Sequence, residues 1–204
     1  MDMSKPYRAA AAECLPDVVV IFDRFHVMQL VTKTIDKVRR KQQASLDKED
    51  KKTLKGSRFL FLSNYDNLDE EKKTRLQLVL EANEPLLIIH SMKEQLRLLW
   101  IKSTRKAARK FLAVWIMDAI DVAITYKAQT GSTALMPLYR LARSLMAHMK
   151  GILNYFDYRI TNGKMEGINN KIKTLKRQAY GFRDKVYFRL RLLHLHAQKI
   201  RLAG

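Results

Sequence analysis

The sequence predicts a mainly helical fold that holds one short buried strand, and three observations carry that reading. Only seven Gly and four Pro punctuate 204 residues. Apolar residues recur at helical spacing through most of the chain. One run, VVVIF at residues 18–22, breaks the pattern: it follows Pro16, is apolar and largely β-branched, and has the mark of a strand buried on both faces. Hydrophobic residues make up 47% of the chain, enough for one sizeable core and a second, smaller packing unit.

Taken in order, residues 4–15 predict a helix with Ser4 as N-cap and Pro6 in its first turn. Cys14, the only cysteine, is expected on that helix as a small buried apolar residue. A single cysteine supports neither a disulfide framework nor a cysteine zinc cluster. The strand follows and ends at Asp23. Beyond it, Val27, Leu30, Val31, Ile35 and Val38 fall on one helical face that leads into the basic RRK at residues 39–41. Residues 47–52 read as a charged, solvated connection. The stretch SRFLFLSN at 57–64 fits a short strand or an extended loop.

Three helices come next. The first starts near Asn67, with Asp69, Glu70 and Glu71 in its first turn at the positive end of the dipole. The second begins at Asn83 and carries Leu86, Ile89, Met92, Leu96 and Leu99 to Trp100. The third is capped by Thr104 and carries Ala108, Phe111, Leu112, Trp115, Ala119 and Val122 to about Gln129, before a turn at Gly131. Trp100 and Trp115 are expected in the core. Helical sequence resumes at Ala134 and runs to about Tyr158.

Lys and Arg number 39 against 20 Asp and Glu, a formal net charge of +19, which points to a polyanionic partner, nucleic acid first. A membrane surface attracts the same charge. No apolar run approaches the ~20 residues of a spanning helix and no signal-peptide pattern opens the chain, so the reading is a soluble intracellular protein.

TNG at residues 161–163 signals a turn, and a helix is predicted from Lys164 to about Ala179. At 100° per residue Asn170, Lys173 and Arg177 all fall within about 40° of Glu166, while Met165, Ile168, Ile172, Leu175 and Ala179 form the opposite, apolar face. Such a front suits a metal-binding carboxylate beside a phosphate backbone. Two plainer readings share the same spacing. One is ordinary surface charge stabilising an exposed helix. The other is a helix-turn-helix, with AYGF at 179–182 as the turn and residues 184–200 as the second helix. Asp23, at the carboxyl end of the predicted strand, lies where open α/β folds place their sites, and His26 three residues on completes a weak D-x-x-H pattern. His194 and His196 read as structural or solvent-facing.

Several stretches together carry a family likeness: DMSKPYRAAAAECLPDVVVIFDRFHV at 2–27, VRRK at 38–41, SRFLFL and NLDEE in the intervening region, and TNGKMEGINNKIKTLKRQAYGFRD at 161–184. They resemble the DDE transposases of bacterial insertion sequences, of the ISL-three type, over essentially the whole chain. The resemblance implies an α/β remnant of a ribonuclease H-like core with a large all-α insertion. Residues 1–27 would be the partial core, 28–158 the helical insertion, and 159–204 the C-terminal catalytic helices.

It also implies cut-and-paste transposition of DNA by phosphoryl transfer at two divalent ions, Mg²⁺ or Mn²⁺. Glu166 matches the third acid of that family. The second is Asp2 or Asp23; the spacing of the D-x-x-H pattern favours Asp2 as metal ligand, with Asp23 and His26 supporting the site. The implied DNA contacts are Lys164, Asn170, Lys173, Lys176, Arg177 and Arg183, with Arg39 and Arg40. The first acid is expected upstream, so the chain reads as the C-terminal part of a transposase, inactive by itself, with exposed apolar edges where sheet partners are missing. Element ends and target DNA, a homo-oligomeric full-length form and a cytoplasmic, nucleoid-associated location follow from the same likeness. The alternative is a non-enzymatic, basic helical protein that binds nucleic acid or regulates transposition.

Overall fold

Side-chain caps set where several helices of the computed structural model begin. It describes residues 3, 5–15, 17–45, 54, 56–160 and 163–201, which fall into two compact units, Met1–Ile160 and Thr161–Gly204. In the first unit the elements are α1 (Lys5–Cys14), α2 (Arg24–Ser45), α3 (Arg58–Leu62), a 3₁₀ turn (Tyr65–Asn67), α4 (Glu70–Glu81), α5 (Glu84–Arg97), a second 3₁₀ turn (Leu98–Ile101), α6 (Arg105–Thr130), α7 (Met136–Ala147) and α8 (Met149–Tyr158). Asp69 accepts from the Lys72 N–H at 2.9 Å, Asn83 from Leu86 at 3.2 Å and Thr104 from Ala107 at 3.2 Å, so each satisfies one of the orphan donors of α4, α5 and α6. Asp69 is thus the cap of α4 and not a member of its first turn. Helix α6 stops at Gly131, whose left-handed φ of 69° is a conformation that favours glycine.

One core fills this unit. Val27, Val31, Ile35 and Val38 bring it the inner face of α2, Leu86, Ile89 and Leu96 that of α5, and Leu112 and Trp115 that of α6. Helix α2 packs on α3, α5 and α7, and α6 packs on α7 and α8. Both tryptophans are buried: Trp115 donates its indole N–H to the Met92 carbonyl at 2.9 Å, and Trp100 stacks on Phe156. Phe22 and Val27 share the core with the helices of residues 28–158.

Three further expectations are corrected. Residues 18–22 have no regular structure, and there is no strand among the described residues. A strand needs a neighbour to complete its ladder. Two polar groups of this run are met instead by α8: the Phe22 N–H donates to the Gly151 carbonyl at 3.0 Å, and Asn154 Nδ2 donates to the Val20 carbonyl at 2.8 Å. Phe22 is buried, whereas Val18 and Val19 remain 47% and 48% exposed. The stretch at 57–64 is neither strand nor simple loop: it contains helix α3, with Leu60 and Phe61 buried. Cys14 is exposed, because the described side chains of α1 are exposed or half-buried. The Ser4 cap and the connection at 47–52 lie outside the described residues.

The second unit holds α9 (Gly163–Gln178) and α10 (Lys185–Arg201). The turn between them is closed by the Gly181 N–H on the Lys176 carbonyl at 2.9 Å, with Gly181 at φ 101°. Asp184 caps α10, its Oδ1 accepting from Val186 at 2.7 Å and Tyr187 at 3.1 Å. The Phe182 ring packs against Phe188, 4.9 Å between centroids, and Leu175 is buried.

Candidate metal and nucleic-acid site

Asp23 closes the irregular run 18–22 and starts α2. Its Oδ1 accepts the Phe25 N–H at 2.7 Å and its carbonyl accepts the Val27 N–H at 3.2 Å, the geometry of an N-capping aspartate. The residue is buried. His26 follows in the first turn, half-buried, its ring edge-on to Phe25. The D-x-x-H pattern is therefore, locally, a capped helix start that fixes one carboxylate and one imidazole at the mouth of the segment.

Beside that segment lies an open cavity of about 620 Å³. Val18, Val20 and Phe22 form one wall; Arg105, Lys150, Asn154 and Asp157 are among its polar lining. Arg105 Nη1 donates to Asn154 Oδ1 at 2.9 Å and also pairs with Asp157. His148, at the junction of α7 and α8, also lines the cavity; its Nδ1 lies 2.6 Å from the Ser144 carbonyl. Since that carbonyl only accepts, Nδ1 carries the proton. None of these polar residues stood out in the sequence. The available signal was Asn154 and Asp157 set among the apolar and aromatic residues of ILNYFDY at 152–158.

The basic residues of α2 divide sharply. Arg39 is buried, with Nε and Nη2 on Asp36 Oδ1 at 3.1 and 2.8 Å and Nη1 on Gln43 at 2.9 Å. Its position departs from the expectation of a phosphate-facing base, because its guanidinium is already held by a carboxylate inside the fold. Arg40 pairs with Asp36 Oδ2 at 2.6 Å but stays largely exposed. Burial alone would raise the Asp36 pKa; hydrogen bonds and charges from Arg39 and Arg40 outweigh it and hold the carboxyl below its usual range.

In the second unit, Lys164 and Glu166 belong to the first turns of α9. Asn170, Lys173, Lys176, Arg177 and Arg183 are all exposed. Lys176 Nζ also sits 4.9 Å from the Phe188 ring centroid, a cation–π contact that steadies the side chain near the turn. Residues 163–194 carry nine Lys and Arg against two acids, so this unit presents a strongly positive helix-turn-helix to solvent.

Asp2 lies outside the described residues. Among the described residues no group of three or more His, Cys, Asp or Glu is placed to hold a metal. The chemistry of the expected donors nevertheless fits Mg²⁺ or Mn²⁺: all are carboxylates, the hard oxygen ligands these ions take. No helix among the described residues is long and apolar enough to cross a membrane.

A family model described as transposase, of the DDE ISL3 type, matches residues 1–192. The transposase for insertion sequence element IS1001 of Bordetella parapertussis is 34% identical over 195 residues, which cover 94% of this chain and 45% of that protein. The transposase for insertion sequence element IS1557 of Mycobacterium tuberculosis is 24% identical over 217 residues, 94% of this chain and 46% of that protein. The chain thus spans about half the length of these curated relatives. No solved structure matches.

Proposed function

Since this chain belongs to the ISL3-type transposase family, we propose that it is the part of a DDE transposase that supplies the third metal-binding acid and a basic helical surface for DNA. The observation that carries the reading is the match over residues 1–192, which includes the N-G-x-x-E-G-x-N-N-x-I-K pattern around Glu166.

In this reading residues 1–27 border a ribonuclease H-like core contributed largely by other parts of a longer protein. Residues 28–158 are the helical insertion, and 159–204 return the catalytic helix. The exposed Val18 and Val19 support it, as adjacent apolar side chains left without a covering partner. Glu166 and Asp2 would hold the ions, with Asp23 the alternative to Asp2. When bound, the two ions supply the activation of a water or 3′-hydroxyl and the stabilisation of the leaving oxygen.

The protein's own residues do the rest. Asp23 caps the start of α2, and Asp23 and His26 would support the site. Asn170, Lys173, Lys176, Arg177 and Arg183, with Lys164, grip phosphates and hold the strand in register. Arg40 adds an exposed charge from the first unit, and Arg39 acts indirectly, by holding Asp36. Element ends and target DNA are the substrates, a homo-oligomer is the working form, and the bacterial cytoplasm at the nucleoid is the setting.

The test is cleavage of DNA carrying insertion-sequence ends, by a polypeptide of the relatives' full length that contains this chain. Mg²⁺-dependent nicking is expected, and Glu166→Gln should abolish it while DNA binding persists. Undiminished cleavage by the Glu166→Gln protein overturns the assignment. The helix-turn-helix of the second unit favours a second reading, a non-enzymatic DNA-binding or regulatory protein. That reading expects binding indifferent to Mg²⁺ and no cleavage by any version of the protein.

A further inference from the structure

Helix α6 buries one face and leaves the opposite one bare. Ala108, Leu112, Trp115, Ile116, Ala119 and Ala123 point into the core. At 100° per residue they span an arc of about 100°. Centred on the other side are Lys110, Val114, Met117 and Asp121, all exposed, with Met117 at 68%. Ala107 and the half-exposed Ile124 extend the same stripe at its two ends. A 26-residue helix that shows solvent Val, Met and Ile along one line has an apolar seam without a mate in its own unit.

The order of charges along the seam indicates the mate. Lys110 and Asp121 flank the apolar centre at equal distances, four residues from Val114 and from Met117 respectively. Neither forms an ion pair among the described residues. If a second α6 is laid antiparallel about a two-fold axis midway between Val114 and Met117, Val114 meets Met117 of the copy and Lys110 meets Asp121. The small Ala107 then meets the large Ile124. Arg109 meets Val122 and Lys106 meets Thr125, so no like charges face each other. Such a surface is self-complementary, as an isologous interface must be.

We propose that this face of α6 is a self-association surface, on which a second copy of the chain docks in antiparallel register. From Ala107 to Ile124 the seam is about 26 Å long at 1.5 Å per residue. A single helix pair of that length belongs to the small, reversible class of interfaces. The proposal gives the homo-oligomer of the proposed function a specific surface, and it concerns residues outside every candidate DNA or metal position, so its test fails or holds apart from the cleavage assay.

Sedimentation equilibrium on the whole chain, in buffer without DNA, tests it. A concentration-dependent monomer–dimer equilibrium is expected, and Met117→Glu should abolish the dimer with an unchanged circular dichroism spectrum and melting temperature. Lys110→Glu alone and Asp121→Lys alone should each weaken the dimer about tenfold, because two symmetric attractions become repulsions. The two reversals combined in one chain should restore it to within about threefold, since the symmetric pair is re-formed with its signs exchanged. A chain that stays monomeric overturns the proposal, as it would if another segment or DNA were the occupant of the seam. A dimer unmoved by Met117→Glu overturns it as well, and so does failure of the double reversal to rescue.

Discussion

The backbone N–H of Phe22 donates to the carbonyl of Gly151 at 3.0 Å, and the Phe22 ring fills the space that a β-carbon on Gly151 would take. Such a carbon would stand 2.5 Å from two ring atoms, inside any tolerable contact. In an unobstructed helix, exchanging Gly for Ala stabilises by about 1 kcal/mol. Here the buried ring would have to leave its packed place, so Gly151→Ala is expected to destabilise by roughly 2 kcal/mol. Thermal unfolding checks this. The penalty should largely vanish when Gly151→Ala is measured in a Phe22→Ala background, because the clash needs both partners.

Lys93 is among the most deeply buried side chains of the chain, at 2% exposure. Its ammonium donates to the carbonyls of Phe61 at 3.0 Å and Ser63, and pairs with Glu94 at 2.8 Å. These carbonyls end the short helix α3, so one cation pins α3 to α5. Burial pushes the Lys93 pKa down, while the hydrogen bond and charge of Glu94 oppose that shift. Lys93→Met keeps the stem but strands the two carbonyls and leaves Glu94 with Arg97 alone, and should cost about 3 kcal/mol in denaturant unfolding. Lys72→Met, which breaks the exposed pair with Asp69, should leave the midpoint where it was.

His90 should make the protein acid-sensitive. Burial, and then the charge of Lys93, push its pKa down to about 4, with Glu94 acting the other way. The unfolded imidazole takes its proton near 6.5, so below that pH the unfolded chain binds more protons and stability falls until the folded group titrates. The loss should reach about 3 kcal/mol between pH 6.5 and 4. Asp36 and Glu94, both held below their usual carboxylate range, lose their contributions only at lower pH. The slope between about pH 6.5 and 4.5 therefore belongs to His90. Urea midpoints measured across that interval should flatten in His90→Gln.

Much of this architecture is legible from local rules. Thr104, Asn83 and Gly131 announce helix ends through cap chemistry that acts over three or four residues, and the 3.6-residue period picks out Val27, Val31, Ile35 and Val38 as the buried face of α2. What fails to show is whatever depends on distant partners. VVVIF has strand composition, yet pairing is not a local property, and the Phe22 N–H and the Val20 carbonyl close on Gly151 and Asn154 more than a hundred residues away. Arg39 reads as one of three adjacent bases, and only the folded helix shows Asp36 and Gln43 enclosing it. Glu166 is singled out in the sequence because a family pattern surrounds it. The polar wall made by Arg105, Asn154 and Asp157 is assembled from two helices and has no continuous motif.

The division among the bases gives the last prediction. Lys173, Lys176 and Arg177 are exposed on α9, so each phosphate they neutralise releases counterions when DNA binds. Replacing all three with Ala should weaken binding to duplex of any sequence and reduce the slope of log K against log salt by about 0.9 for every phosphate left without its cation. Arg39→Ala should behave in the opposite way. Its guanidinium is spent on Asp36 and Gln43, so its removal leaves a buried carboxylate short of a partner. The expected result is a lower melting temperature with an unchanged salt slope for the protein that remains folded. Fluorescence anisotropy titrations across a salt series, run beside thermal melts, separate the two outcomes. A reduced slope for Arg39→Ala would show that its side chain leaves Asp36 to meet the phosphate backbone.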